Sequence, residues 1–262
     1  MRKGSYLVAL ALFVLCFGLG LLSVILPREF DDSPQQARLP PTNQEKPWSQ
    51  ISHDGDTSFI LILGVDRIQK SNPRLISIWL ASVHYTRRDI HLFGFPTNLP
   101  TGGEERKPLD DIFSFNRTSG VGEDFLQAFI NINPFGDPTT IILIDETMFA
   151  ALVDYVGGVH LEDTFLSGDV VVSFQELFYN DAQGLLFVQA QVLDNLRHRS
   201  SNLTAPLDVT PLLKLSREHA YTSMDAEKLA LWISTFLPGD PKGIRIEIHD
   251  SNMHSTSGIT QP

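Results

Sequence analysis

Asp66 and Arg74 stand at the two ends of a polar loop in "GVDRIQKSNPRLIS". An acidic and a basic group placed where apolar runs give way to a loop suit a site for an anionic ligand. The arginine can meet such a ligand through its planar fork, and the aspartate can offer oxygen to a hard cation. The same two side chains can also form a plain surface ion pair, worth at most ~1 kcal/mol. A second set is aromatic. Phe93, Phe95, Phe113 and Phe115 either belong to the core or line an apolar slot for the greasy part of a ligand.

Other arrangements carry less. Glu104-Glu105 and Asp110-Asp111 read as solvated loop charge rather than an acid/base pair. "TGGEERK" has glycines but lacks the strand-to-helix setting of a phosphate loop. No nucleophile-elbow pattern is present. The eight histidines are scattered and no Cys/His group has zinc spacing. The single cysteine, Cys16, leaves no internal disulfide to form. A net charge of -11 and a pI near 5.1 argue against a general nucleic-acid binder, since no basic footprint meets the phosphates.

The elements that must hold these residues alternate. "SFILILGV" (58–65) is an unbroken apolar run, as expected of a strand covered on both faces. Strands follow at 75–84 and 89–96, then a helix at 123–132 and a strand at 139–145. "DETMFAALVDYVGG" is helical, capped by Asp145 or Glu146 and stopped by Gly157-Gly158; Phe149, Leu152, Val153 and Val156 form its apolar stripe. A short strand at 159–163, helices at 185–199 and 225–237 and a strand at 243–250 complete the chain. Alternating elements with covered strands predict an α/β three-layer α-β-α sandwich with a central mixed sheet.

Ahead of this domain lies "LVALALFVLCFGLGLLSVIL", residues 7–26, uncharged and long enough to cross a bilayer. Arg2 and Lys3 before it keep residues 1–6 in the cytoplasm and place the rest outside. "SVILPREF" has no small-x-small site for signal cleavage, and Leu15 before Cys16 does not suit lipoprotein processing. Residues 27–57, rich in Pro, Gln, Asp and Ser, read as an extended tether. The domain is expected at 58–249 and a loose tail at 250–262.

Several stretches together carry a family resemblance. "LILGVDR" with "NPRLISIWLASVHYTRRDIHLFGFPTNLP", "LDDIFSFNRTSGVGEDFLQAF", "FAALVDYVGGVHLED" and "VQAQVLDNLRHRSSNLTAPLDVTPLLKL" resemble, in order, the LytR-CpsA-Psr (LCP) proteins of the bacterial cell envelope. The resemblance runs from about Phe59 to Leu237. It implies a single-pass anchored protein with an extracellular α/β domain. It also implies transfer of glycopolymers from polyprenyl-pyrophosphate carriers to the cell wall, with Mg²⁺ held by aspartates and arginines on the pyrophosphate.

This chain departs from that pattern where the chemistry sits. Asp66 and Arg74 match. The aspartate expected two residues after Arg74 is Ile76, the usual threonine is Ser77, and the Pro-Arg-Asp ending the third strand is Pro96-Thr97-Asn98. No lysine or arginine occurs from Leu161 to Leu196, where further arginines are expected. Arg197 and Arg199 offer another match, although "LRHR" also suits a helix C-terminus. The expectation is a degenerate, non-catalytic member with Asp66 and Arg74 as remnants and Asp66 as the one metal-site position retained. It would need no cofactor, binding a polyprenyl lipid or another envelope component but no nucleic acid. The alternative is an active, Mg²⁺-dependent phosphotransferase that attaches glycopolymers to peptidoglycan.

Overall fold

The computed structural model describes residues 57–84, 86, 89–102, 106–161, 164–200, 210–224 and 243–248. The apolar span at 7–26, almost all of the tether, the helix expected at 225–237 and the tail lie outside these residues. No helix among the described residues is long and apolar enough to cross a membrane.

Six strands form a mixed sheet: β1 (Thr57–Val65), β2 (Leu75–His84), β3 (Asp89–Phe95), β6 (Thr140–Asp145), β9 (Ala220–Thr222) and β10 (Gly243–Ile248). Their order is β10-β3-β2-β1-β6-β9. β1 runs parallel to β6 and antiparallel to β2. Two small hairpins stand apart, β4 (Phe115–Asn116) with β5 (Gly120–Val121), and β7 (Val159–Leu161) with β8 (Thr164–Leu166).

Alternate residues of β1 feed two cores. Leu61, Leu63 and Val65 pack with Phe95, Phe113, Phe125 and Phe129 beneath the short helix α1 (Leu109–Ile112) and α2 (Glu123–Ile132). Ile60 and Ile62 pack on the other face with Met148 and Leu152 of α3 (Glu146–Tyr155) and Leu212 of α6 (Thr210–His219). The sheet therefore has helices on both faces, as the unbroken apolar run of β1 requires. Each fully buried Leu or Phe here contributes roughly 1.5–3 kcal/mol.

α3 follows its sequence signals. The Asp145 carboxylate accepts from the Met148 N–H at 3.1 Å as N-cap, and Gly157 and Gly158 take positive φ (83° and 80°) where the helix ends. Met148 and Val153 are fully buried along its inner stripe, whereas Val156, expected on that stripe, is only half-buried.

Two helices escape the sequence reading. α4 (Gly168–Glu176) carries the run Val170–Val172, which by itself favours a strand. Packing overrides that preference, because a Cβ on Gly168 would stand 2.0 Å from the Ala150 carbonyl oxygen. Glycine thus lets α4 lie directly against α3, and the Gly168 N–H donates to the Asp154 carboxylate at 2.7 Å. The other is α6, whose C-terminal His219 leads straight into β9. α5 (Ala182–Ser200) takes in the helix expected at 185–199, and "LRHR" does fall in its last turns.

Candidate functional site at the carboxyl end of the sheet

β1, β3, β6 and β10 point the same way, so their carboxyl ends lie at one end of the sheet. Crevices at such ends are the usual ligand sites of open α/β sheets. The parallel register sets Val65 beside Asp145, so Asp66 and Glu146 leave adjacent strands at the same level. The β6–β9 register sets Ile144 beside Ala220, which brings His219 to Asp145.

Asp66 is spent on its own loop. Its Oδ1 accepts from the backbone N–H of Arg67 at 2.7 Å and of Arg74 at 2.9 Å, and its Oδ2 pairs with Lys70. The Asp66 N–H in turn donates to the Arg74 carbonyl at 3.0 Å. Burial pushes the carboxyl up, but the hydrogen bonds from Lys70, Arg74 and Arg67 outweigh it, and its pKa is lowered overall. Asp66 and Arg74 therefore meet through the Arg74 backbone. The guanidinium instead donates to the Tyr179 carbonyl at 2.6 Å and lies 4.8 Å above the Tyr179 ring centre.

The neighbouring positions on β2 and beyond β3 hold no charge. Ile76 is buried at 6% exposure, and its carbonyl accepts from the Gln189 side chain at 3.4 Å. Thr97 is buried and its carbonyl accepts from the Asp110 N–H at 3.0 Å, while Asn98 is exposed. The Mg²⁺ that the resemblance implies does not fit this arrangement. It needs carboxylate oxygens from more than one residue, not already held by protein donors. Asp66 has both oxygens engaged, and Ile76 supplies an aliphatic chain. Among the described residues no group of three His, Cys, Asp or Glu could hold a metal ion.

The aromatic residues lie in the core beneath α2. Phe95, Phe113 and Phe115 are buried, with edge-to-face contacts from Phe95 to Phe129 (5.1 Å), Phe113 to Phe125 (5.2 Å) and Phe115 to Tyr221 (5.2 Å). Phe93 is half-buried and stacks on the exposed Phe135 at 3.8 Å. Asp110 and Asp111 sit exposed in the first turn of α1. The side chains of Arg197 and Arg199 lie outside the described residues.

On the β6–β9 side the structure assembles a cluster that sequence reasoning missed. Asp145, 1% exposed, accepts from the Met148 N–H, from the Ile68 N–H at 3.4 Å and from His219 Nδ1 at 2.8 Å. Arg117, in the β4–β5 turn, donates to the Arg217 carbonyl at 2.9 Å and to the Glu218 carbonyl. Gln69 also donates to the Glu218 carbonyl, at 2.8 Å. Two loops thus clamp the last turn of α6 and seat the imidazole. Next door, the Tyr179 hydroxyl donates to Glu146. Burial, then the charges of Glu176, Asp66 and Asp145, push the Glu146 carboxyl from 4.5 up to about 7.

The mixed sheet between helices is that of an LCP-like fold. TagV of B. subtilis superposes with a TM-score of 0.54 at 15% identity, over 74% of this chain and 85% of TagV. TagT, solved bound to LIIa-WTA, gives 0.53 at 12% identity, over 74% and 78%. The gbs0355 protein of Streptococcus agalactiae gives 0.55 at 12% identity, over 74% and 77%. No family model and no curated protein sequence matches the chain.

Proposed function

We propose that this chain is a membrane-anchored envelope protein in which the LCP fold no longer performs metal-dependent transfer and instead holds a polyprenyl lipid or another envelope component. The fold shared with TagV and TagT supports the envelope role. One observation carries the loss of transfer: Asp66 and Arg74 are bound to their own surroundings, and the position two residues after Arg74, where the resemblance implies a metal-site aspartate, is a buried isoleucine. A pyrophosphate brings about two to three negative charges and needs matched donors. Losing a single such donor typically costs about 10²- to 10³-fold in rate, and several are missing here at once. The stacked Phe93 and partly exposed Phe135 offer apolar surface that supports binding of a lipid tail, each buried methylene contributing ~0.8 kcal/mol without any arginine. The 7–26 span supports the anchor.

The test is turnover of a polyprenyl-pyrophosphate-linked glycopolymer by the full chain in detergent, with Mg²⁺ or Mn²⁺, beside an Asp66→Ala, Arg74→Ala variant. No metal-dependent turnover is expected, together with retention of polyprenyl phosphate. Metal-dependent turnover that vanishes in the variant would establish the phosphotransferase reading in its place.

A further inference from the structure

The function proposed above makes no use of the groups around Asp145, yet they are closely organised. A buried aspartate that only caps a helix needs the Met148 N–H and little more. Here the same carboxylate also holds His219 Nδ1 at 2.8 Å, and that histidine sits at the C-terminus of α6. A carboxylate accepts, so Nδ1, 2.8 Å from Asp145 Oδ2, carries the proton, and the Gln69 amide nitrogen, 3.3 Å from the same Nδ1, makes the weaker contact. That fixes the tautomer and leaves the lone pair on Nε2. The imidazole keeps 19% of its side-chain surface exposed, and Nε2 has no partner among the described residues. Of the charged groups nearby, Arg117 donates to α6 carbonyls, Lys70 pairs with Asp66, Arg74 donates to the Tyr179 carbonyl and Glu146 is bonded to Tyr179, while the exposed Arg67 lies close enough to Glu146 to oppose the rise of its pKa.

We propose that His219, positioned by Asp145, is a metal-free general base that hydrolyses a carboxylic ester at the carboxyl end of β6. Nε2 accepts a proton from water as the water oxygen bonds to the acyl carbon. The C–O bond to the alcohol then breaks, and the imidazolium returns the proton to the leaving oxygen. Ester and water become acid and alcohol, with no metal, oxidant or second substrate. A neutral acyl carbon suits this site better than a phosphoryl group, because Arg117, Lys70 and Arg74 already hold protein oxygens, which leaves less positive charge to meet a phosphoryl group. Asp145 touches no reactant and acts as the positioning residue.

The test uses the full chain in detergent with excess EDTA. Release of 4-nitrophenolate from 4-nitrophenyl acetate is followed as a function of pH, with bis(4-nitrophenyl) phosphate in a parallel arm. The acetate should be hydrolysed about 10²-fold faster by the wild type than by His219→Gln, in keeping with the usual size of general-base effects. Added imidazole should restore rate to His219→Gly, and Asp145→Asn should change the pH profile. The phosphodiester should show no protein-dependent release. Should His219→Gln fail to fold, carbethoxylation of His219 in the wild type, quantified by peptide mass, gives the same reading. Rate lost in step with modification supports the proposal. Equal acetate rates in the wild type and a folded His219→Gln, a rate indifferent to His219 modification, or loss of rate in EDTA would overturn it. Metal-dependent polyprenyl-pyrophosphate turnover, by contrast, would overturn only the loss of transfer proposed for the Asp66 side of the sheet.

Discussion

The two flanks of the carboxyl edge have the same scaffold and opposite contents. On the β2–β3 flank, Ile76 and Thr97 are buried, Asn98 is neutral, and Asp66 with Arg74 satisfy loop and turn backbone. On the β6–β9 flank, a carboxylate at 1% exposure holds an imidazole, and a neighbouring carboxyl is pushed up to about 7. Charge placed at a strand end becomes chemistry only when its polar atoms are left facing outward. Asp66 has both oxygens held by its own loop, whereas His219, in no recognisable motif, keeps part of its imidazole exposed.

Equal truncations on the two flanks should therefore cost unequal amounts. Asp145→Ala removes the cap of α3 and the acceptor for the Ile68 N–H, and it leaves His219 without its partner. A loss of about 3–5 kcal/mol is expected, as for breaking a buried pair. Asp66→Ala frees two backbone N–H groups that water can reach in part, so about 1–2 kcal/mol is expected. Denaturant unfolding of both variants checks the order; equal costs would break the contrast.

A smaller effect sharpens it. The Glu146 carboxyl releases its proton near 7 in the native protein and near 4.5 when unfolded. Between those values the native state binds more protons, so the stability it contributes is complete below pH 4.5 and is lost as pH rises through about 7. Glu146→Gln should remove this decline. Its melting temperature relative to wild type should climb between pH 4.5 and 7 and stay level elsewhere.

The first-flank residues were legible in the sequence because a continuous apolar strand, a polar loop and a second strand are local patterns. β1, β2, β3, β6 and α3 follow for the same reason. The second flank was not legible. Asp145 was visible as a helix cap, but its partner lies 74 residues on and reaches it through a three-residue strand, too short to show a period. α4 was hidden by its valines, whose preference yields to packing on Ala150 through Gly168. From sequence the phenylalanines fit either core or slot, and their burial and mutual contacts place three of them inside.

Titration of the full chain with Mn²⁺, followed by electron paramagnetic resonance, addresses the state of Asp66 without reference to any substrate. With both Asp66 oxygens bound to protein donors, no saturable site should appear beyond weak surface binding, and Asp66→Ala should leave the titration unchanged. A saturable site lost in Asp66→Ala would show that this carboxylate is still free to hold a metal, and would contradict the reading of Asp66 as a residue committed to its own loop.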